Sequence, residues 1–291
     1  MVKNKGRNYD IPNEIIQKNQ QILLVEKGLL MKSTVMIISF FFFTIQSTSL
    51  STSFENESIL ESKRMLKEGS IIIDTSLILQ ARKNFIREYR KEPTSLCLYL
   101  IAQSEYELIR IGIAQKESGL FEKYFESAVD RVEHLIEKEP DWSEPYALIS
   151  SIYGYKIAHN WINAVTYGPK AFISANNALK LDEKNPRAWL VKGTTTLHMP
   201  ALLGGGADGA IIELKKAIEL YENQKISDQL TPDWGYIDAL VWLGWAYEKK
   251  DQPLEAMGVY QKAIREEPRA GWISSMFLEP LQKKNMSIKK P

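Results

Sequence analysis

The three histidines are the first residues to consider for metal binding or proton transfer. His134, His159 and His198 are far apart in sequence, and none has a second His or Cys at the spacing of metal ligands. His134 and Glu137 are three residues apart on a predicted helix, a pairing typical of a solvated helix surface. The sequence contains no HExxH, GxSxG or P-loop motif. We therefore predict no metal site, no cofactor and no catalytic residue, in a protein that is not an enzyme.

A run of three glycines superficially suggests phosphate binding. Gly204, Gly205 and Gly206 precede a predicted helix at Asp208, and helix N-termini attract anions. The run lacks the lysine and the preceding strand of a phosphate-binding loop, and an N-capping Asp208 would occupy the same amide groups. We predict instead a flexible, apolar turn that lets residues 200–203 fold over a neighbouring unit.

The composition indicates a globular chain with little net charge. Hydrophobic residues make up 44% and charged residues 25% of the 291 positions. The 37 basic and 36 acidic residues nearly cancel, so neither nucleic acid nor an anionic membrane surface is an expected partner. Cys97 is the single cysteine, which excludes an intramolecular disulfide and a Cys-rich metal site. We expect its thiol to be buried.

The N-terminal region resembles a secretory signal peptide. Residues 34–45 form the only strongly apolar run in the sequence. Met31 and Lys32 precede this run, and small residues follow it. A helix of this length spans only about 18 Å, less than the roughly 30 Å of a bilayer core. We predict a signal peptide over 31–50, translation starting at Met31 rather than Met1, and export to the periplasm or the medium. The alternative is a membrane anchor formed by an uncleaved 34–45 segment.

The rest of the chain is predicted to be helical and repetitive. The clearest unit near the C-terminus consists of Leu240, Leu243, Gly244 and Tyr247 on one helix and Ala256, Tyr260 and Ala263 on the next, ending at Pro268. Its spacing resembles the tetratricopeptide repeat (TPR), with leucine for the opening tryptophan and tyrosine for phenylalanine. Small residues let the two antiparallel helices approach closely, and the tyrosines fill the space beside that contact.

Earlier units match the same pattern in phase, with longer turns between their helices. One unit carries Trp189, Gly193, Ala210, Leu214 and Ala217, and another carries Tyr146, Ile149, Ser150, Tyr153, Ala171 and Ala178. With a degenerate pair at about 92–140, the resemblance implies an all-α, right-handed solenoid of about four repeats over 92–268. An N-terminal helical extension over 51–91 and a C-terminal capping helix and tail over 269–291 complete the predicted organisation.

In such arrays the resemblance implies a binding groove lined by the first helix of each pair. The lysine and asparagine clamp for a partner's C-terminal carboxylates is absent, because its positions hold Ala147, Ser151, Leu190, Thr194, Val241 and Trp245. Arginine and aromatic residues dominate interface energies, so Arg187, Tyr155 and Trp245 are candidate anchors. The candidate groove residues are Tyr155, Arg187, Thr194, His198, Asp238 and Trp245. Tyr155 and Trp245 could instead pack against the enlarged turns.

Two functions follow as hypotheses. The first is an exported scaffold that binds a protein or peptide partner in the cell envelope. The second is a periplasmic accessory component of a solute transporter that binds a small molecule, as some exported proteins of this repeat family do. In the second case the insertions at 156–170 and 196–208 would roof a pocket.

Overall fold

The computed structural model describes residues 57–225 and 228–288, and most of them are helical. The predicted signal peptide over 31–50 lies outside the described residues. Contacts divide the chain into 1–56 and 57–291, and only the second unit is considered below. Its helices are α1 (57–72), α2 (Thr75–Lys91), α3 (Ser95–Gln115), α4 (Ser118–Lys138), α5 (Ser143–His159), α6 (Ala164–Leu181), α7 (Pro186–His198), α8 (Ala207–Asn223), α9 (Tyr236–Lys249), α10 (Pro253–Glu266) and α11 (Glu279–Ile288).

Consecutive helices pack as antiparallel pairs, from α1/α2 through α9/α10. The first helices of successive pairs also touch one another, since α3 contacts α5, α5 contacts α7 and α7 contacts α9. A single hydrophobic core runs along most of the array, with a small satellite between α5, α6 and α7. The predicted all-α solenoid of helix pairs is confirmed.

Local sequence signals explain where several helices begin. Asp74 and Thr94 accept hydrogen bonds from first-turn amides of α2 and α3, and Pro186 follows the capping Asn185 at the start of α7. The predicted N-cap at Asp208 is wrong. Helix α8 starts at Ala207, and Gly206, with φ of 134°, occupies the cap position.

Small residues allow the helices of each pair to approach. The ring of Tyr260 lies against Gly244, and the side chain of Leu214 lies against Gly193, so a Cβ at either glycine would clash. The structure buries the following small and aromatic packing residues completely: Ala210, Ala217, Ala256, Tyr260 and Ala263. Leu243 is also buried in this core, and Trp189 and Tyr247 pack against it while remaining partly exposed.

Helix α3 is surrounded by protein. Every residue from Cys97 to Gly112 is buried, including polar ones, because α2, α4 and α5 all contact this helix. Such a central position is expected for the apolar run 96–102 in the first half of this helix. Within residues 57–225 and 228–288, no helix has both the length and the apolarity needed to cross a membrane.

Candidate functional site

The concave face of the array is occupied by its own chain. Lys63 on α1 donates from Nζ to the carbonyl oxygens of Gln229 (2.7 Å) and Thr231 (2.5 Å), in the segment between α8 and α9. Lys63 and Lys67 both form ion pairs with Asp233, at 3.0 and 2.9 Å. The α8–α9 segment is therefore fixed between the first helix and the last pair.

Trp234 fills the middle of this closed groove. Its side chain is only 7% exposed, and its Nε1 donates to the hydroxyl of Tyr99 on α3 at 2.8 Å. The ring also packs against Tyr106, with centroids 5.3 Å apart. Trp272, beyond α10, donates to the carbonyl of Ile71 at the end of α1 (3.0 Å), so the two ends of the array touch.

A buried ion pair joins α5 to α7 on the inner surface. The guanidinium of Arg187 lies 2.7 to 2.8 Å from both carboxylate oxygens of Glu144. Asn185 and Tyr99 also donate to this carboxylate. Burial lowers the pKa of Arg187, but the adjacent Glu144 raises it by more, so the pKa lies above its ordinary value and Arg187 stays charged. Arg187 is therefore a structural residue and is not free to anchor a partner.

A second polar cluster lies where α1, α3 and α9 meet. Arg110 donates to Glu107 at 2.7 Å, and the hydroxyl of Ser70 donates to the same carboxylate at 2.8 Å. Asp238 is half-buried beside this cluster, where the charge of Arg110 acts on its carboxylate. Burial raises the pKa of Asp238, Glu107 raises it further, and Arg110 opposes the shift. Burial also raises the pKa of Tyr155, the other groove candidate here.

A cavity of about 240 Å³ opens beside this cluster. It lies between α1, α3, the α8–α9 segment and the chain beyond α10. Gln103 on its wall is only 5% exposed, and its Oε1 has no hydrogen-bond partner among the described residues. The side chains that matter for its chemistry are Lys63, Lys67, Gln103, Glu107, Arg110, Asp233, Trp234, Asp238, Glu266, Glu267 and Trp272.

His198 and Trp245, the remaining aromatic candidates, meet at the open side of the array. The His198 ring lies 5.3 Å from the centroids of both Trp242 and Trp245, and we call these three residues the aromatic patch. His198 Nδ1 is 2.8 Å from the carbonyl of Thr194. Burial lowers the pKa of His198, and nearby Lys249 lowers it further. The imidazole is therefore neutral at pH 7.

Apolar side chains are exposed where the two helices of each of three successive pairs join, in the turns and in the first turn of the following helix. Trp161, Ile162 and Val165 follow α5 and are 78%, 62% and 83% exposed. Leu202 and Leu203 follow α7 and are 96% and 68% exposed. Leu254 follows α9 and is 64% exposed. We call these six residues the apolar edge.

The apolar edge corrects one expectation. Residues 200–203 do not fold over a neighbouring unit, because Leu202 and Leu203 are exposed. The insertions at 156–170 and 196–208 do not line the cavity beside Gln103, and a pocket roofed by them stays a prediction. Asp208, at the start of α8, is paired with Lys250 of the next turn at 2.5 Å, which links two of these turns directly.

Comparisons with known proteins support the fold and no more specific relationship. No protein-family model and no curated protein match this sequence. The solved structure of the HusA haemophore from Porphyromonas gingivalis is similar, with a TM-score of 0.57 and 22% identity over 66% of this chain and 92% of HusA. The TPR protein TTC0263 from Thermus thermophilus gives a TM-score of 0.54 and 19% identity, over 76% of this chain and 99% of that protein. The fold is TPR-like.

The six groove candidates thus separate into two groups within this TPR-like fold. Arg187, Asp238 and Tyr155 lie in the closed interior. His198 and Trp245 belong to the aromatic patch. The carbonyl of Thr194 contacts the His198 ring, and the hydroxyl of Thr194 donates to the carbonyl of Val191. The sequence reasoning did not identify Trp234, Gln103 or the apolar edge. The uninterrupted apolar character of 96–102 was the signal that something must surround α3.

Proposed function

We propose that this protein is an exported TPR-like scaffold that binds a protein partner through its apolar edge. The observation that carries the proposal is the exposure of apolar side chains at three successive helix pairs, while the concave groove is occupied by the α8–α9 segment and its Trp234. A groove-bound peptide would have to displace this segment.

The energetics favour an interface at the apolar edge. Burying one large apolar side chain contributes about 1.5–3 kcal/mol, so even partial burial of several of them is worth many kcal/mol. Exposed apolar patches on a protein surface mark interaction sites, and the six residues are exposed at three successive helix pairs. Because each junction joins two packed helices, little entropy should be lost on binding.

Export is part of the proposal and rests on the sequence of the N-terminal region. The apolar run at 34–45, the preceding positive charge and the following small residues support a signal peptide. An uncleaved 34–45 segment would instead anchor the protein to the membrane with the array outside the cytoplasm. Intact mass and N-terminal sequencing of the fractionated native protein distinguish these two cases, and a full-length chain in the cytosol would contradict both.

Site-specific photo-crosslinking in cells tests the interface. A photoreactive amino acid at Trp161 and, separately, at Leu202 should give the same cross-linked protein. The matched control is Ile173 on α6, which is 57% exposed but lies outside the apolar edge. Cross-linking of equal yield from Ile173, or a specific adduct only from Trp245 of the aromatic patch, would overturn this assignment. Substituting Leu202→Ser should weaken capture of the identified partner at least tenfold and leave the helical circular-dichroism signal unchanged.

Small-molecule binding is the second candidate function, and the enclosed cavity beside Gln103 favours it. HusA is called a haemophore, so one protein of similar structure is named for carrying a small ligand. A haem-carrying role for this chain is tested by titrating haem and recording its Soret band. A spectral shift that His198→Ala removes, with His134→Ala as the control, would support haem binding at the aromatic patch rather than in the cavity beside Gln103, and no shift would exclude haem carriage.

A further inference from the structure

The α8–α9 segment is longer than its two helices require. The connections from α4 to α5 and from α6 to α7 have four residues each (139–142 and 182–185), whereas this connection has twelve (224–235). Helices α8 and α9 nevertheless pack directly against each other, as α4 and α5 do. The described residues 228–235 therefore make a detour across the concave face that joining the two helices does not require.

This segment is held by its main chain, as an extended peptide would be. Lys63 Nζ donates to two of its carbonyl oxygens, and the hydroxyl of Tyr221 donates to a third, that of Trp234, at 3.0 Å. None of these contacts depends on a side chain of the segment. In peptide recognition, main-chain hydrogen bonds of this kind supply affinity, and pockets for particular side chains supply specificity.

An acidic side chain is the first specific feature of the segment. Asp233 forms ion pairs with Lys63 and Lys67, at 3.0 and 2.9 Å. Burial raises the pKa of Asp233, but the two lysines lower it by more, so the pKa lies below its ordinary value and the carboxylate is charged at pH 7. The two cations on α1 therefore favour an acidic residue at this position.

A tryptophan at the next position is the second specific feature. Trp234 is 7% exposed, donates to the hydroxyl of Tyr99 at 2.8 Å and packs against the ring of Tyr106. A buried tryptophan is a typical anchor of a binding interface. The two lysines and the two tyrosines belong to α1 and α3, so they form the same site whether the peptide belongs to this chain or to another.

We propose that the α8–α9 segment is a built-in competitor at this site, and that the site accepts an extended partner peptide in which an acidic residue directly precedes a tryptophan. Asp233 and Trp234 supply that pair within the chain. A tethered ligand competes at an effective concentration on the order of mM, so the groove stays closed until a partner peptide displaces the segment. The site shares no residue with the apolar edge, so this proposal and the proposed function can fail separately.

Binding of a synthetic peptide tests the site. The peptide has the sequence of residues 228–235 and a fluorescent label, and fluorescence anisotropy follows its binding to the full chain. Combining Asp233→Ala with Trp234→Ala removes both anchors of the competing segment. We expect this double variant to bind the peptide saturably and at least tenfold more tightly than the wild type does. Trp161→Ala, the control at an exposed tryptophan, should bind as weakly as the wild type.

A second peptide and a further substitution locate the binding. A peptide with alanine at the positions of Asp233 and Trp234 should bind at least tenfold more weakly. Adding Lys63→Met to the double variant should weaken binding of the first peptide at least tenfold, whereas adding Arg64→Met, at an exposed residue paired with Glu61, should leave it unchanged. Equal binding of the two peptides, no loss with Lys63→Met, or equal binding by the wild type and the double variant would each overturn the proposal.

Circular dichroism of the double variant keeps the test decisive if the substitutions disturb folding. A double variant that lacks the helical signal alone should regain it at saturating peptide, because a ligand that binds only the folded state stabilises that state. A double variant that stays unfolded with the peptide, or one that is folded and does not bind it, would refute the site.

Discussion

Replacing Trp234 with alanine gives the sharpest test of the closed groove. This side chain is only 7% exposed and lies between α3 and α9, where it donates to Tyr99 and packs against Tyr106. If the α8–α9 segment were only a loop on the surface, replacing its tryptophan would hardly change the stability of the protein. If it fills the groove as described, the substitution opens a cavity at the centre of the protein.

The expected magnitude follows from the buried area. An aromatic side chain buries about 150–250 Å², which at about 25 cal/mol per Å² is about 4–6 kcal/mol. Measured costs of replacing a buried tryptophan by alanine are about 3–5 kcal/mol. The hydroxyl of Tyr99 keeps its contact with Glu144, so the lost hydrogen bond adds only about 1 kcal/mol. We expect Trp234→Ala to lower the free energy of unfolding by about 4 kcal/mol.

Urea unfolding followed by circular dichroism measures this loss, and Trp161→Ala is the control. Trp161 is 78% exposed on the apolar edge, so its replacement should cost less than about 1 kcal/mol. A Trp234→Ala variant as stable as the Trp161→Ala control would refute the closed groove.

Three further substitutions test other contacts of the array. Arg187→Met should lower the free energy of unfolding by about 3–5 kcal/mol, because it leaves the Glu144 charge buried without its partner. Adding Glu144→Leu should restore at least half of this loss, as measured by urea unfolding. A double variant with no recovery would contradict the ion-pair argument. Gly244→Ala should lower the free energy of unfolding by about 1–3 kcal/mol, because the new methyl group clashes with the facing tyrosine ring. Gly258→Ala, which has open space around it, should raise the free energy of unfolding by up to about 1 kcal/mol. Equal effects of the two substitutions would contradict the packing. The raised pKa of Asp238 means that its protonated form is favoured in the folded state, so this contribution to stability is complete below about pH 3.9 and is lost as the pH rises through the folded pKa. Asp238→Asn should therefore be more thermostable than the wild type at pH 7, with the difference shrinking towards pH 4, and a less stable variant at pH 7 would contradict this sign.

The repeat architecture could be predicted from sequence because its signals are local. Gly244 and Tyr260 meet within one helix pair, and their spacing is fixed by helix geometry. Proline and capping residues mark helix boundaries for the same local reason, as at Asn185 and Pro186. The one failed cap shows the limit, since Gly206 and Asp208 both suit a helix start and backbone geometry decides between them.

The closed interior could not be predicted because it depends on contacts between distant parts of the chain. Lys63 meets Asp233, and Trp234 meets Tyr99, although more than a hundred residues of the sequence separate the members of each pair. A repeat pattern specifies the contact between neighbouring helices but does not specify the cumulative curvature that brings the ends together. Residues such as Arg187 and Asp238 therefore looked available to a partner, although the curvature of the array buries them.

The contact between the two ends has a consequence for how this protein can change over evolution. An open solenoid can gain or lose a repeat, because each unit touches only its neighbours. Here Trp272 must reach Ile71, and Asp233 must reach Lys63. One additional helix pair in the middle of the array would separate the two residues of each contact. Duplication of a repeat, which is the usual source of length variation in such proteins, would break this one. We expect relatives that share the end-to-end contact to vary in their turns and to keep the number of their helices.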